Sequence, residues 1–146
     1  MSLFNLKDKS ILITGSSRGI GKSIAHQCAL HGAKVIISSR KLNVCESTAD
    51  EINTSVGKEV AFPISANISD EDQLNNLVSE TKEKLGKIDT LICNAATNPF
   101  MGSMLDMPSE KFDKVMNMYM DINIEYNAIS ISVSYTHLTL PTICSV

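Results

Sequence analysis

The chain lacks an excess of charge of either sign, paired cysteines and any long uninterrupted apolar run. Its 13 Lys and Arg face 16 Asp and Glu across 146 residues, a balance that gives no global attraction to nucleic acid or to an anionic membrane surface. Neither kind of partner is expected. Cys28, Cys45, Cys93 and Cys144 stand far apart with no CxxC pair, which argues against a zinc knuckle and a dithiol redox motif. They read as reduced, mostly packing residues, and no metal site is expected. The opening MSLFNLKDKSILITG is broken by Lys7, Asp8 and Lys9, so it fits neither a signal peptide nor a membrane span, and a cytoplasmic location is the expectation. There is no internal repeat and no interdomain linker, and the length allows one domain with a real core, or part of one.

What is present is alternation. Short apolar runs rich in β-branched residues alternate with longer amphipathic stretches, the pattern of βαβ units on a parallel sheet. Strands are predicted at 10–14 (SILIT), 34–39 (KVIISS), 60–65 (VAFPIS) and 87–93 (KIDTLIC), with Pro63 placing the third at an edge. A first helix is predicted from Gly19 to His31, with Ile20, Ile24, Ala25 and Cys28 on one face and Gly32 as the stop. A second runs from Asn43 to Val56 and is closed by Gly57. Ser69 or Asp70 caps a third, in which Leu74, Leu77, Val78 and Leu85 share a face before Gly86. After the loop NAATNPFMGSMLDMP a fourth helix is predicted from Ser109 to about residue 131.

The first strand-to-helix turn reads TGSSRGIGKS, residues 14 to 23. A P-loop needs GxxxxGK[ST] and so a glycine where Ser16 stands, although Lys22-Ser23 imitates its end. Gly15, Gly19 and Gly21 instead fall where a tight turn, close approach to a pyrophosphate and close helix-on-strand packing require them. The free N–H groups and positive dipole end of the helix that follows would then receive phosphates. Such turns also occur for packing alone. At the end of the second strand an acid would hold the ribose 2′-OH of NAD, but the residues are Ser38-Ser39-Arg40-Lys41. Arg40 can grip a 2′-phosphate through two parallel N–H bonds, and Arg18 is a second candidate for the same phosphate. NADP(H) is therefore expected over NAD(H), against the plainer reading of Arg40 and Lys41 as solvated charges at a strand end.

With TGSSRGIG, SSRK and Asn94-Ala95-Ala96 in this order, residues 5 to 131 resemble the N-terminal half of a classical short-chain dehydrogenase/reductase. SSRK with NAATNP is most similar to the NADP-dependent, carbonyl-reductase-like branch. The resemblance implies a Rossmann-type, doubly wound parallel sheet of the α/β class, with strand order 3-2-1-4 in the part present. It also implies hydride transfer between a nicotinamide cofactor and a small-molecule alcohol or carbonyl, and a homo-oligomer for the full-length parent. By resemblance Gly15, Ser17, Arg18, Gly19, Ile20 and Gly21 line the pyrophosphate, and the Asn94 segment supports the turn. Asn67-Ile68 stands where the family usually has an Asp-hydrophobic pair beside adenine, and the Asn67 amide oxygen can still accept from the adenine amino group. The family's helix-borne catalytic Asn falls in KVMNMYMDINIEYN. Asn123, in its DIN context, is the best match, about one helical turn late; otherwise Asn117 or Asn127 is an exposed or capping residue. A dinucleotide-binding module without catalysis is the alternative from another class.

The family's Ser and YxxxK are not found. Tyr135 has Thr139 at i+4 and Pro141 at i+6, no Lys or Arg follows Lys114, and Tyr135 lies too close to Asn94 for the helix and strand that should intervene. VSYTHLTLPT, residues 133 to 142, instead resembles an in-frame translation of the transposon-end adaptor used to fragment DNA for sequencing. The expectation is thus a partial Rossmann domain over 1–132, a non-native tail over 133–146, and a fragment that is inactive and poorly folded by itself.

Overall fold

The structure, a computed structural model, describes residues 5–96 and 100–117. Four strands, β1 (Ser10–Thr14), β2 (Lys34–Ser39), β3 (Ala61–Ser65) and β4 (Thr90–Ile92), form one parallel sheet in the order β3-β2-β1-β4. This is the expected 3-2-1-4 arrangement. Helices α1 (Gly19–Leu30), α2 (Leu42–Val56) and α3 (Glu71–Leu85) connect the strands, and residues 109–117 are helical.

All five residues of β1 are buried because both sheet faces are covered. Successive side chains of a strand point to opposite faces. Ile11, Ile13, Val35 and Ile37 accordingly pack with Ala25 and Ala29 of α1 and Cys45, Ala49 and Ile52 of α2. Leu12, Ile36 and Ile64 pack on the other side with Leu74 and Leu77 of α3. Each fully buried Val, Leu or Ile side chain contributes about 1.5–3 kcal/mol by leaving water. Ile20, placed on the core face of α1 by its spacing, is instead 75% exposed. The helix lies on its Gly21, Ala25, Ala29 stripe, whose small side chains let it approach the sheet closely. Among the cysteines Cys45 is a core residue, Cys28 is partly buried and Cys93 is exposed rather than packed.

Pro63 sits on the edge strand as its lack of an N–H demands. Val35 donates to the Val60 carbonyl and Ala66 to the Ser39 carbonyl, so the even-numbered N–H groups of β3 face β2 and the Pro63 nitrogen faces outward. Asp70, not Ser69, caps α3: its carboxylate accepts from the Gln73 N–H at 3.1 Å, and Glu71 and Asp72 follow in the first turn, where the helix dipole favours them. α2 and α3 end at Gly57 (φ 72°) and Gly86 (φ 79°), in the left-handed region glycine adopts freely.

The fourth strand is shorter than its composition suggests, pairing over Thr90–Ile92 rather than 87–93. Ile88 belongs to the α3 side of the core, and Asp89 turns its carboxylate back to accept the Ser10 N–H at 2.8 Å. Lys87 Nζ sits 2.9 Å from the same carboxylate and Lys9 Nζ 3.9 Å. Partial burial alone raises the Asp89 pKa, but the Ser10 N–H, the Lys87 hydrogen bond and the charges of Lys87 and Lys9 together outweigh it, and the net shift is downward. A carboxylate depressed in the folded state stabilises the fold above its unfolded pKa of about 4, and that stability is lost as pH falls through the lower folded value. Asp89→Asn in the full-length protein should therefore cost about 1–2 kcal/mol at pH 7 in urea unfolding. It should also shrink the stability difference between pH 7 and pH 3; an unchanged difference would contradict this role.

Candidate active site at the strand ends

Parallel strands bring the residues that follow β1, β2, β3 and β4 to one edge of the sheet, where ligands of open α/β folds bind. Gly15, Ser17, Arg18, Gly19, Ile20 and Gly21 lie in the first turn and the start of α1, Arg40 follows β2, Asn67 and Ile68 follow β3, and Asn94, Ala95 and Ala96 follow β4. Asn123, Asn127 and the tail over 133–146 lie outside the described residues. Asn117 is exposed on the helical segment 109–117.

The turn is stitched to both neighbouring strands. On the β4 side, Asn94 Nδ2 donates to the carbonyls of Thr14 at 3.2 Å and Gly15 at 3.0 Å. The Thr14 hydroxyl oxygen accepts the N–H groups of Asn94 and Ala95, each at 3.2 Å. On the β2 side, fully buried Ser16 donates its N–H to the Ser38 carbonyl at 3.0 Å. The Ser16 Oγ accepts the Ser38 N–H at 2.9 Å and donates to the Ile13 carbonyl at 2.7 Å. Thr14 and Ser16 escaped the sequence reading, where Ser16 counted only as a missing glycine. The available signal was a pair of small hydroxyl residues flanking the first glycine of the turn.

The glycines then have separate physical reasons. Gly15 (φ +64°) turns the chain where an added Cβ would stand 2.8 Å from the Ala95 Cα. Gly21 has an ordinary backbone, but a Cβ there would lie 2.5 Å from Asn94 Nδ2 and 2.6 Å from the Gly15 carbonyl oxygen. It lets α1 start against the Asn94 bridge. Gly19 (φ +58°) faces open space, so only its backbone conformation selects glycine.

Charge at this edge is one-sided. α1 has no capping side chain and no acid in its first turn, so its leading N–H groups and dipole meet no negative group of its own. Arg18 and Arg40 are exposed, and among the described residues neither guanidinium is held by a hydrogen bond or ion pair. Lys22, the residue that imitates a P-loop lysine, is tied to Glu51 of α2 at 2.5 Å. Asn67 Oδ1 accepts the Ser69 N–H at 3.3 Å, which occupies one of its two lone-pair directions. A groove at the opposite end of the sheet, between Lys7, His31, Ser55 and Lys58, gathers the carbonyl ends of α1 and α2, which its lysines complement.

In the full-length protein Gly21→Ala is expected to lower stability in urea unfolding by about 1–3 kcal/mol, because backbone atoms must move. Gly19→Ala should cost only about 1 kcal/mol, from backbone strain alone. The reverse order would contradict the contact with Asn94.

Comparison with known proteins agrees with this architecture. The family model for short chain dehydrogenases matches residues 9–128. Tropinone reductase-like 3 of Erythroxylum coca is 32% identical over 130 residues, covering 89% of this chain and 48% of that protein. A short-chain type dehydrogenase/reductase from Mycobacterium marinum superposes with a TM-score of 0.80 at 34% identity, over 89% of this chain and 52% of the other. The 3-ketoacyl-(acyl-carrier-protein) reductase of Brucella melitensis, solved complexed with NADH, gives 0.78 at 28% identity, over 88% and 51%. The chain thus spans about half the length of the curated relatives it matches. With the family model covering most of its length, the parallel sheet ordered 3-2-1-4 and the glycine turn braced by Asn94, the chain belongs to the short-chain dehydrogenase family.

Proposed function

We propose that the intact protein is an NADP(H)-dependent oxidoreductase that moves a hydride between the cofactor and a small alcohol or carbonyl substrate. The observation that carries the cofactor choice is the end of β2, where Ser39-Arg40-Lys41 stands with no carboxylate and Arg40 is exposed and, among the described residues, unengaged. An acid there would repel a 2′-phosphate, whereas a guanidinium meets it with two donors in a fixed fork. The cradle at Gly15 and Gly21, which a Cβ would fill, and the uncapped start of α1 fit a pyrophosphate.

The bound cofactor would supply the hydride acceptor or donor. The residues of this chain bind and orient it. The α1 N–H groups take the pyrophosphate, Arg40 with Arg18 takes the 2′-phosphate, and the free lone pair of Asn67 Oδ1 takes the adenine amino group. Asn94 keeps the turn in register beside them. Asn123 is proposed as the helix-borne Asn of the site. Residues 1–132 are proposed as the cofactor half of a cytoplasmic, homo-oligomeric parent. On that reading the chain alone lacks the Ser, Tyr and Lys that handle the substrate proton and does not turn over.

Arg40→Asp in the full-length protein is expected to lower kcat/KM for NADPH roughly a hundredfold, the worth of charged hydrogen bonds of about 2–3 kcal/mol. NADH should be affected little. Equal loss for both cofactors would refute the phosphate role of Arg40.

A further inference from the structure

The buried face of α2 carries two polar side chains, Cys45 and Thr48, beside Ala49 and Ile52. Thr48 sends its hydroxyl out of its own helix. A helical threonine commonly back-bonds to the carbonyl one turn earlier, but Thr48 Oγ1 donates across to the Ser17 carbonyl at 3.0 Å. That carbonyl immediately precedes Arg18. Cys45 is fully buried with its Sγ 3.1 Å from Ser39 Oγ, and its N–H donates to the Lys41 carbonyl at 3.2 Å. When Ser39 Oγ donates to the Lys41 carbonyl, 3.5 Å away, its own oxygen is left to accept the thiol proton. The Cys45 side chain therefore holds Ser39, the residue before Arg40, while its backbone N–H makes the ordinary first bond of α2 to Lys41, and Thr48, one helical turn on, fastens the neighbour of Arg18.

We propose that Cys45 and Thr48 are positioning residues that fix the backbone carrying Arg40 and Arg18, and thereby set the discrimination between NADP(H) and NAD(H). This rests on the phosphate role proposed for Arg40. Both side chains are buried beneath the turn, so they act through the arginines and not by touching the cofactor. A long, exposed guanidinium on an untethered backbone must be ordered at the moment of binding; one whose backbone is already anchored loses less freedom. Because NADH has no 2′-phosphate, loosening these anchors weakens NADPH selectively. Side chains that merely filled the interface between α2 and the sheet would produce no such selectivity.

The test compares kcat and KM for NADPH and NADH in the full-length protein carrying Thr48→Val, Thr48→Ser, Cys45→Ala or Arg40→Asp, each first shown to melt cooperatively. Thr48→Val and Cys45→Ala are expected to lower the NADPH-to-NADH ratio of kcat/KM by about five- to tenfold, through the KM for NADPH, as small misplacements of binding groups do. Thr48→Ser, which keeps the hydroxyl, should retain the ratio of the unsubstituted protein. An unchanged ratio in both Thr48→Val and Cys45→Ala, or a loss shared equally by the two cofactors, would overturn the proposal. If Arg40→Asp leaves the ratio intact, the phosphate reading itself falls. If Arg40→Asp collapses it while Thr48→Val and Cys45→Ala do not, only the positioning role falls. Should one of these two variants fail to fold, the other decides.

Discussion

The carboxamide of Asn94, donating at once to the carbonyls of Thr14 and Gly15, is the constraint on which the rest of the strand-end site depends. It joins the segment after β4 to the turn after β1. The Gly15 carbonyl, beyond the end of β1, would otherwise need a partner in a half-buried place, where an unmet acceptor costs about 1–3 kcal/mol. Once that bridge stands, Gly21 can only be glycine, since a side chain would enter the space the amide occupies. The start of α1 is then fixed, and with it the direction of the open N–H groups.

A second brace works from the other side. Ser16 ties the turn to Ser38, and Thr48 ties Ser17 to α2. The turn is thus suspended between three strands and a helix while its outer rim, Arg18 to Ile20, stays exposed. Such a division suits a binding edge. The buried polar atoms satisfy one another, and the described residues contain no buried side-chain nitrogen or oxygen without a partner. The groups left over at the rim are donors and cations. The sheet beneath supplies rigidity through two apolar layers that share β1 and β2, so a shift of the turn would disturb both.

The sheet was largely legible in the sequence because its strands are continuous apolar runs and its order follows from βαβ topology. The bounds of β1 and β2 and the glycine stops of α2 and α3 were readable from pattern alone. Three features were not. Ile20 sits at helical spacing with the apolar face of α1 yet lies at the open rim, because the tight Gly21 contact turns the helix onto its small residues. The strand predicted over 87–93 loses its first residues because Asp89 uses its side chain, not only its backbone, to meet Ser10, a choice no propensity records. The hydroxyls of Thr14, Ser16 and Thr48 carry the turn through contacts between residues far apart in sequence, and only the fold brings those partners together. Asn94, by contrast, was identified by family resemblance, and its place beside the turn is where the structure puts it.

On the proposed reading this edge is built for a phosphorylated ribose. Equilibrium titration of the intact protein with NADPH and with NADH, followed by cofactor fluorescence, tests it most directly. NADPH should bind at least about tenfold more tightly, as two charge-assisted hydrogen bonds to one phosphate require. Equal affinities, or a preference for NADH, would contradict it.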